Sequence, residues 1–379
     1  MLKFNSNGEF KILFVADMQD LYFIRPAMTA MLNKACDRES YDLVVLGGDN
    51  ILGNHICDAP IGKGKAINSP DDEEKAVEAA IKRAVRPFVK RGMTFTAVFG
   101  NHDDKCSVSQ RQQAKIYKKI PGFVGFNNTT PGVRPDTFNL PIYSADGRKT
   151  LFNLWFFDSA FTESDGKTTH EYVSGKSVEW YTEKSKKLKR LNGGKPLPSI
   201  AFQHVPFPEI INLVEECSDT DKNKIPMAGN TRDGKTYRVK KNAINGVMGE
   251  FPACCSENHG QFEAAKRQGD ILAFVFAHDH LNNFTANIDG IKIIQAPGAS
   301  FRCYGRDRGV WEITIRQSSP ADFSSKFISY YELMGNNFSS RMLYLLSADE
   351  LEGKKNKYLA VLSACAVTAG ACTAILAKK

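Results

Sequence analysis

The sequence predicts an α/β fold in which strands alternate with helices and the helices cover the faces of a sheet. Short apolar runs that end in or near a polar residue are typical of buried strands, and they occur at 11–17, 42–49, 94–99, 151–158, 199–203, 271–276 and 310–315. Apolar residues at a spacing of three to four predict helices over 26–36 and 73–91. Pro87 lies inside the second of these and predicts that it bends or ends early.

The composition is that of a soluble globular protein. The chain has 379 residues, of which 42% are hydrophobic and 24% charged, and this allows one large or two ordinary cores to be buried without disulfides. Its nine cysteines are scattered without a repeating spacing, and the first residues show no secretory signal. We therefore predict reduced thiols in a protein whose body is cytoplasmic.

The charge is unevenly distributed along the chain. The formal net charge is +8, but residues 353–379 hold five lysines and no acidic residue, so the preceding 352 residues carry a net charge of only +3. Nucleic-acid-binding domains usually present a basic surface. The near-neutral body argues against nucleic acid as a partner, while basic clusters at 184–190 and 235–241 leave a nuclease as an alternative.

Metal-capable side chains follow five of the predicted strands: Asp17, Asp49, the run Asn101-His102-Asp103, His204, and the pair His278 and His280. One Asp after a strand is more often a cap or turn residue. Because the carboxyl ends of strands in a layered α/β fold meet at one edge, five such positions in phase predict a shared site. Carboxylates, imidazoles and an amide oxygen suit two divalent ions held about 3.5–4 Å apart and bridged by one carboxylate.

The order of these residues resembles the calcineurin-like metallophosphoesterase superfamily. The matching words are Asp17-x-Gln19, Gly48-Asp49, Gly100-Asn101-His102-Asp103, His204 and Ala277-His278-Asp279-His280. The stretches GGDNILG, AVFGNHD, QHVPFPE and AHDHLNNF look closest to the single-domain, purple-acid-phosphatase-like branch, and the resemblance covers roughly residues 10–315. It implies a four-layer αββα sandwich, in which two mixed β-sheets are flanked by helices.

The resemblance also implies a role for each matching residue. Asp49 would bridge two metal ions. Asp17 and His280 would bind the first ion, and the second would be bound by Asn101, His204 and His278. His102 is similar to the family's histidine that contacts the phosphate and protonates the leaving oxygen, and Asp103 would orient it.

The chain departs from the family pattern at three positions. Position 19 is Gln where the superfamily usually has His, so we expect Gln19 to be a poorer ligand and the first ion to be bound more weakly. A Gln oxygen favours hard cations, so Mn²⁺ is the expected metal, with Fe, Zn and Mg²⁺ as alternatives. Leu52 replaces the tyrosine that colours the purple enzymes, and Ala277 replaces a usual Gly.

The predicted activity is hydrolysis of a small phosphorylated substrate, by a phosphatase or phosphodiesterase in which the metal pair deprotonates the attacking water. Besides a nuclease, the alternative is a regulatory protein of the same fold with weakened catalysis, for which Gln19 is the motif-level argument. Asn54 and His55 follow Asp49 closely, and the sequence leaves open whether they face the site or belong to a loop. Irregular stretches at 53–71 and 211–261 are expected to be functional loops.

The sequence predicts three segments: a catalytic domain at 1–320, an extension or linker at 321–352, and a tail at 353–379. Residues 358–377 contain no charge and are flanked by lysines. Twenty helical residues span about 30 Å, the thickness of a bilayer core, so we predict a transmembrane tail anchor with the catalytic body on the cytoplasmic side. The alternative is a helix of small residues packed on the body or on a partner.

Overall fold

The computed structural model describes residues 1–21, 24–56, 69–164, 169–227, 231 and 233–348. Within them lie the strands β1 Leu2–Lys3, β2 Glu9–Val15, β3 Leu43–Gly47, β4 Phe95–Val98, β5 Phe138–Tyr143, β6 Thr150–Phe157, β7 Phe161–Ser164, β8 Thr169–Tyr172, β9 Ser199–Gln203, β10 Val214–Glu216, β11 Tyr237–Val239, β12 Ile244–Met248, β13 Ile271–Phe276, β14 Asn282–Ile288, β15 Ile291–Gln295, β16 Gly309–Arg316 and β17 Ser324–Ser329. The α-helices are α1 Pro26–Arg38, α2 Pro70–Ala84, α3 Arg86–Val89, α4 Gln110–Lys118, α5 Gly175–Leu191, α6 Gln261–Gln268, α7 Tyr330–Met334 and α8 Phe338–Ser347.

Two large mixed sheets flanked by helices form the fold, as predicted. The five-stranded sheet has the order β17-β16-β2-β3-β4, and the eight-stranded sheet has the order β1-β5-β6-β9-β13-β15-β14-β12. Strands β2, β3 and β4 run parallel in the first sheet, and β6, β9, β13 and β15 run parallel in the second. The carboxyl ends of each parallel set therefore lie at one edge of its sheet.

Stacked aromatic rings fill the space between the sheets. Phe14 of the smaller sheet stacks on Phe202 of the larger at a centroid distance of 5.7 Å, and the stack continues through Phe156 to Phe138 at 5.3 and 4.5 Å. All four rings are buried. Side chains alternate across a strand, so Trp155, next to Phe156, belongs to a second apolar cluster that includes residues of α5 and α6.

Three segments bear on the sequence predictions. The helix predicted over 73–91 is divided into α2 and α3, as the position of Pro87 predicted, because Pro87 cannot donate a backbone hydrogen bond inside a helix and lies instead in the first turn of α3. The stretch 211–261 is more regular than expected, since it contains the β10–β11 pair and the edge strand β12. Residues 321–348 contribute β17, paired with β16, and two helices, and Ser347 of α8 accepts a hydrogen bond from Ala27 of α1.

No helix within the described residues is long and apolar enough to cross a bilayer. The tail anchor predicted at 358–377 lies outside those residues. It stays a prediction.

Replacing Phe202 by alanine should destabilise the protein, because its ring joins the aromatic stacks of both sheets. We expect a loss of about 3–5 kcal/mol in the free energy of unfolding, measured by urea unfolding followed by circular dichroism. Phe338→Ala is the matched control, since Phe338 is 79% exposed and its loss should change stability by less than about 0.5 kcal/mol. Equal unfolding midpoints for the two variants would contradict the proposed packing.

Candidate metal centre

The strand ends of both sheets bring the predicted ligands together. Asp17, Asp49 and Asn101 follow the parallel strands of the smaller sheet, and His204, His278 and His280 follow β9 and β13 of the larger. Four of the predicted ligands have a left-handed backbone: φ is 45° at Asp17, 29° at Gln19, 48° at Asp49 and 74° at His278. Such a conformation costs a non-glycine residue about 1–3 kcal/mol. The surrounding sheets therefore hold these residues in conformations that they would not adopt alone.

Two glycines allow the ligand loops to approach each other. Gly48 has φ of 95°, and a Cβ at this position would collide with the imidazole of His204. A Cβ on Gly100 would collide with the carboxylate of Asp49 and with His204 Nε2. The glycines of the Gly-Asp and Gly-Asn-His motifs are therefore required for steric reasons.

One group of ligand atoms is formed by Asp49, His204 and His278, whose nearest donor atoms all lie within 4.8 Å of one another. His204 Nε2 is 3.2 Å from His278 Nδ1, 3.2 Å from Asn101 Oδ1 and 3.4 Å from Asp49 Oδ2. His204 Nδ1 lies 3.0 Å from the Gly47 carbonyl oxygen. As a donor to this oxygen, Nδ1 carries the proton and leaves the lone pair of Nε2 for a cation.

A second group is formed by Asp17, Asp49 and His280, and its donor atoms also lie within 4.8 Å of one another. His280 Nε2 is 3.6 Å from Asp17 Oδ1, while Nδ1 is 2.9 Å from the carbonyl oxygen of Tyr304, to which it donates. The imidazole also stacks on the Tyr304 ring at 4.5 Å. Asp49 belongs to both groups, so its carboxylate lies between two candidate cation positions.

Gln19 contacts the carboxylate that the two groups share. Its amide Nε2 donates to Asp49 Oδ2, and its Oε1 is buried without a hydrogen-bond partner among the described residues. The nitrogen and oxygen of an amide are nearly isosteric. Rotation of the Gln19 amide by 180° would therefore turn Oε1 toward the Asp49 carboxylate, where a bound cation would require an oxygen ligand. A buried amide that contacts the Asp49 carboxylate and leaves its oxygen unsatisfied fits a metal ligand.

The electrostatics of the cluster also fit bound cations. Burial opposes a charge on His204, but the carboxylates of Asp49 and Asp17 outweigh it and raise the His204 pKa to about 10. Burial likewise opposes a charge on His280, and Asp17 raises the pKa of His280 to about 9. Two buried carboxylates thus attract positive charge to the positions that cations would occupy.

His102 and Asp103 occupy different environments. The His102 backbone N–H donates to Asp49 Oδ1 at 2.7 Å, and its ring Nδ1 lies 2.7 Å from Asn54 Oδ1. Burial is the largest cause that lowers the His102 pKa. The resemblance implies that Asp103 orients the His102 ring, but the contact with ring Nδ1 is made by Asn54. The sequence left open whether Asn54 faces the site.

Asp103 instead holds the ligand loops together. Its buried carboxylate accepts the backbone N–H groups of Gly100 at 2.8 Å, Asn50 at 3.0 Å and Ile51 at 3.0 Å. Burial, together with the charge of Asp49, raises the Asp103 pKa to about 7. These contacts connect the loop after β3 to the loop after β4.

A cavity of about 250 Å³ opens over the cluster. Its lining includes the predicted residues Gln19, Asp49, His102, His278 and His280, together with Leu52, Asn54, His55, Arg302, Cys303 and Tyr304. The sequence reasoning did not identify the last three residues. They follow β15, which runs parallel to β13. Residues after the carboxyl ends of parallel strands meet at one edge of the sheet, so the reasoning that located the predicted ligands could also have located these three residues.

Comparison with known proteins agrees with this geometry. Residues 10–282 match the calcineurin-like phosphoesterase family. The chain belongs to this family. It is 26% identical over 352 residues to "Probable inactive purple acid phosphatase 29" of Arabidopsis thaliana, covering 83% of this chain and 77% of that protein.

Two further proteins are similar to this chain. "Phosphatase DCR2" of Saccharomyces cerevisiae is 25% identical over 328 residues, which cover 80% of this chain and 49% of that protein. A solved structure of a dimetal phosphatase from Danio rerio superposes with a TM-score of 0.48 at 12% identity, covering 85% of this chain and 99% of that one.

Gly100→Ala should destabilise the metal-free protein, because the new methyl group overlaps the Asp49 carboxylate. We expect a loss of about 1–3 kcal/mol in the free energy of unfolding, measured by urea denaturation in the presence of a chelator. Gly175→Ala is the control: its Cβ would have no neighbour closer than 4.0 Å, so stability should be unchanged or slightly higher. Equal stability of the two variants would show that the loops are less tightly packed than described.

Proposed function

We propose that this protein hydrolyses phosphate esters with the help of two divalent cations. The observation that carries the proposal is the sharing of the Asp49 carboxylate by two groups of ligand atoms at the floor of one cavity. Asp17, His280 and Gln19 would complete one cation position, and Asn101, His204 and His278 the other. The family match supports the reaction class.

The donor set favours hard or borderline cations. Both groups combine carboxylate oxygen with imidazole nitrogen, the amide oxygen of Asn101 and the amide group of Gln19 contact them, and no thiolate belongs to either group. Such sets suit Mn²⁺, Fe, Zn²⁺ or Mg²⁺, and Mn²⁺ is our proposed metal because of Gln19. When bound, the cations would lower the pKa of a water molecule and offset negative charge on the phosphoryl oxygens.

His102 is the proposed proton donor to the leaving oxygen. Asn54 Oδ1 lies against its Nδ1, so Nδ1–H donates there and Nε2 is the nitrogen left for the substrate. The backbone N–H of His102 also donates to Asp49, and this places the ring directly beside the proposed cation bridge. A cavity of about 250 Å³ accommodates a phosphoryl group with a small part of the leaving group, which supports a small phosphorylated substrate.

His102→Ala tests this assignment. Turnover of a nitrophenyl phosphate with Mn²⁺ should fall by about 10²–10⁴-fold, the usual contribution of a general acid, while the bound metal measured by mass spectrometry stays near the wild-type amount. His259→Ala is the control, because His259 lies away from both ligand groups and pairs with Glu257 at 3.2 Å. Full activity of His102→Ala would eliminate the proposed role.

A second candidate is a regulatory protein with weakened catalysis. The hydrogen bond from Gln19 to Asp49 Oδ2 favours it, because a cation at the first position must displace this amide from the carboxylate. The names of similar proteins, such as "Probable inactive purple acid phosphatase 29", point in the same direction. Metal titration alongside the hydrolysis of a chromogenic ester separates the two candidates: an enzyme gains turnover as both positions fill, and a weakened protein binds metal without turnover.

Gln19→His should strengthen binding at the first cation position, because an imidazole nitrogen replaces an amide that now donates to Asp49. Calorimetric titration of the metal-free protein with Mn²⁺ should show two unequal binding steps for the wild type, and a tighter second step for the variant. A gain of about tenfold corresponds to about 1.4 kcal/mol. Gln268→His, at the end of α6, is the control. Identical isotherms for Gln19→His and wild type would show that Gln19 does not limit metal binding.

A further inference from the structure

Arg302 is the only Arg or Lys among the described residues that line the cavity over the ligand cluster. It lies on the loop after β15, and its side chain is 19% exposed. The other lining groups are the ligands themselves, His102, His55 and the side chains of Leu52, Asn54, Cys303 and Tyr304. A fixed positive charge therefore faces the same space as the proposed cations and the proposed acid.

The Arg302 guanidinium is held in position by a buried carboxylate. Its Nε donates to Asp20 Oδ1 at 2.6 Å, and Asp20 is only 2% exposed. Asp20 also accepts the backbone N–H groups of Leu21 at 2.9 Å and Arg25 at 2.7 Å. Contact through Nε fixes the plane of the guanidinium, whose planar fork suits phosphate oxygens.

The backbone around Arg302 is tied to the loop that carries the first ligand group. Ser300 donates its N–H to the Asp17 carbonyl at 3.0 Å and its hydroxyl to the Gln19 carbonyl at 3.2 Å. The Arg302 N–H in turn donates to the Ser300 hydroxyl at 3.0 Å. The distance between the guanidinium and the first cation position is therefore set by short, direct contacts.

We propose that Arg302, oriented by Asp20, binds a non-bridging oxygen of the substrate phosphate and makes the site selective for phosphate monoesters. This inference rests on the proposed function and names its substrate class. A monoester has three non-bridging oxygens. Two would face the cation positions, and the third would meet the guanidinium of Arg302. In a diester one of the three carries an organic group, so it offers Arg302 neither the same charge nor the same space.

A plain structural ion pair is the competing explanation, since Arg302 and Asp20 join two loops. The chain contains a matched pair for comparison: Arg91 Nε donates to Asp37 Oδ1 at 2.7 Å, and Arg91 lies outside the cavity lining. Removing the guanidinium at either position breaks an Arg–Asp ion pair that is made through Nε; at Arg91 the pair is also bidentate, because Nη2 donates to Asp37 Oδ2 at 2.9 Å. Only the substitution of Arg302 should weaken the binding of phosphate.

The test uses the full-length chain loaded with Mn²⁺ and compares Arg302→Gln with Arg91→Gln. Calorimetry measures binding of inorganic phosphate, and kinetics compare nitrophenyl phosphate with bis-nitrophenyl phosphate. Arg302→Gln should weaken phosphate binding and lower kcat/KM for the monoester by about 10- to 100-fold, the effect of one charge-assisted hydrogen bond. The diester rate should change by less than about threefold on the same reasoning. The metal content of Arg302→Gln should match that of the wild type. Arg91→Gln should match the wild type in metal content, phosphate binding and both ester rates.

Equal losses on both esters, loss of metal, or unchanged phosphate binding in Arg302→Gln would overturn the inference, as would absence of phosphate binding to the wild type. If Arg302→Gln does not fold, Arg302→Lys decides: it keeps the charge but loses the fork, so phosphate binding should weaken measurably, and wild-type affinity would refute the proposal. If the wild type hydrolyses neither ester, the proposed function fails, while weaker phosphate binding by the variant still supports phosphate recognition by Arg302.

Discussion

The Asp49 carboxylate is the group on which the arrangement of this site depends. One of its oxygens accepts the backbone N–H of His102, and the other accepts the amide of Gln19 and lies 3.4 Å from His204 Nε2. Each partner comes from a different loop, and the loops belong to both sheets. A single buried negative charge therefore fixes the relative positions of the strand ends, since a buried carboxylate needs several donors or cations around it.

The backbone that presents this carboxylate is strained, and the strain is sustained by the rest of the fold. Asp17, Gln19, Asp49 and His278 all have positive φ. Their loops are connected by hydrogen bonds rather than by regular structure, among them the three backbone donors to Asp103. The aromatic stack between the sheets keeps both sets of strand ends at a constant separation. Packing far from the site thus maintains ligand geometry that the loops would not keep alone.

Helix α8 contributes to the same support. Arg308 is buried beneath the loop that carries Arg302 and Tyr304, and it donates to the carbonyl groups of Ser300, Cys303 and Gly305. It also donates to the Tyr344 hydroxyl of α8. The backbone carbonyl oxygen of Tyr304 in turn accepts a hydrogen bond from the His280 Nδ1–H. A chain of contacts therefore runs from α8 to one of the proposed metal ligands, so the residues after 320 belong to the structural support of the site.

The sequence alone determined the α/β fold class, because strand-like and helix-like segments alternate along it, while the four-layer sandwich followed from the family resemblance. It also predicted that polar residues at the ends of parallel strands meet at one edge of the fold. It also located the helix break at Pro87, which is a local property of the backbone. The partner of His102 was decided only by the tertiary structure, which brings Asn54 to the ring and turns Asp103 toward backbone amides. Arg302 and its partner Asp20 are 282 residues apart, and no local pattern reports such a contact. Local periodicity encodes elements and their ends, whereas the orientation of a side chain depends on neighbours that only folding brings together.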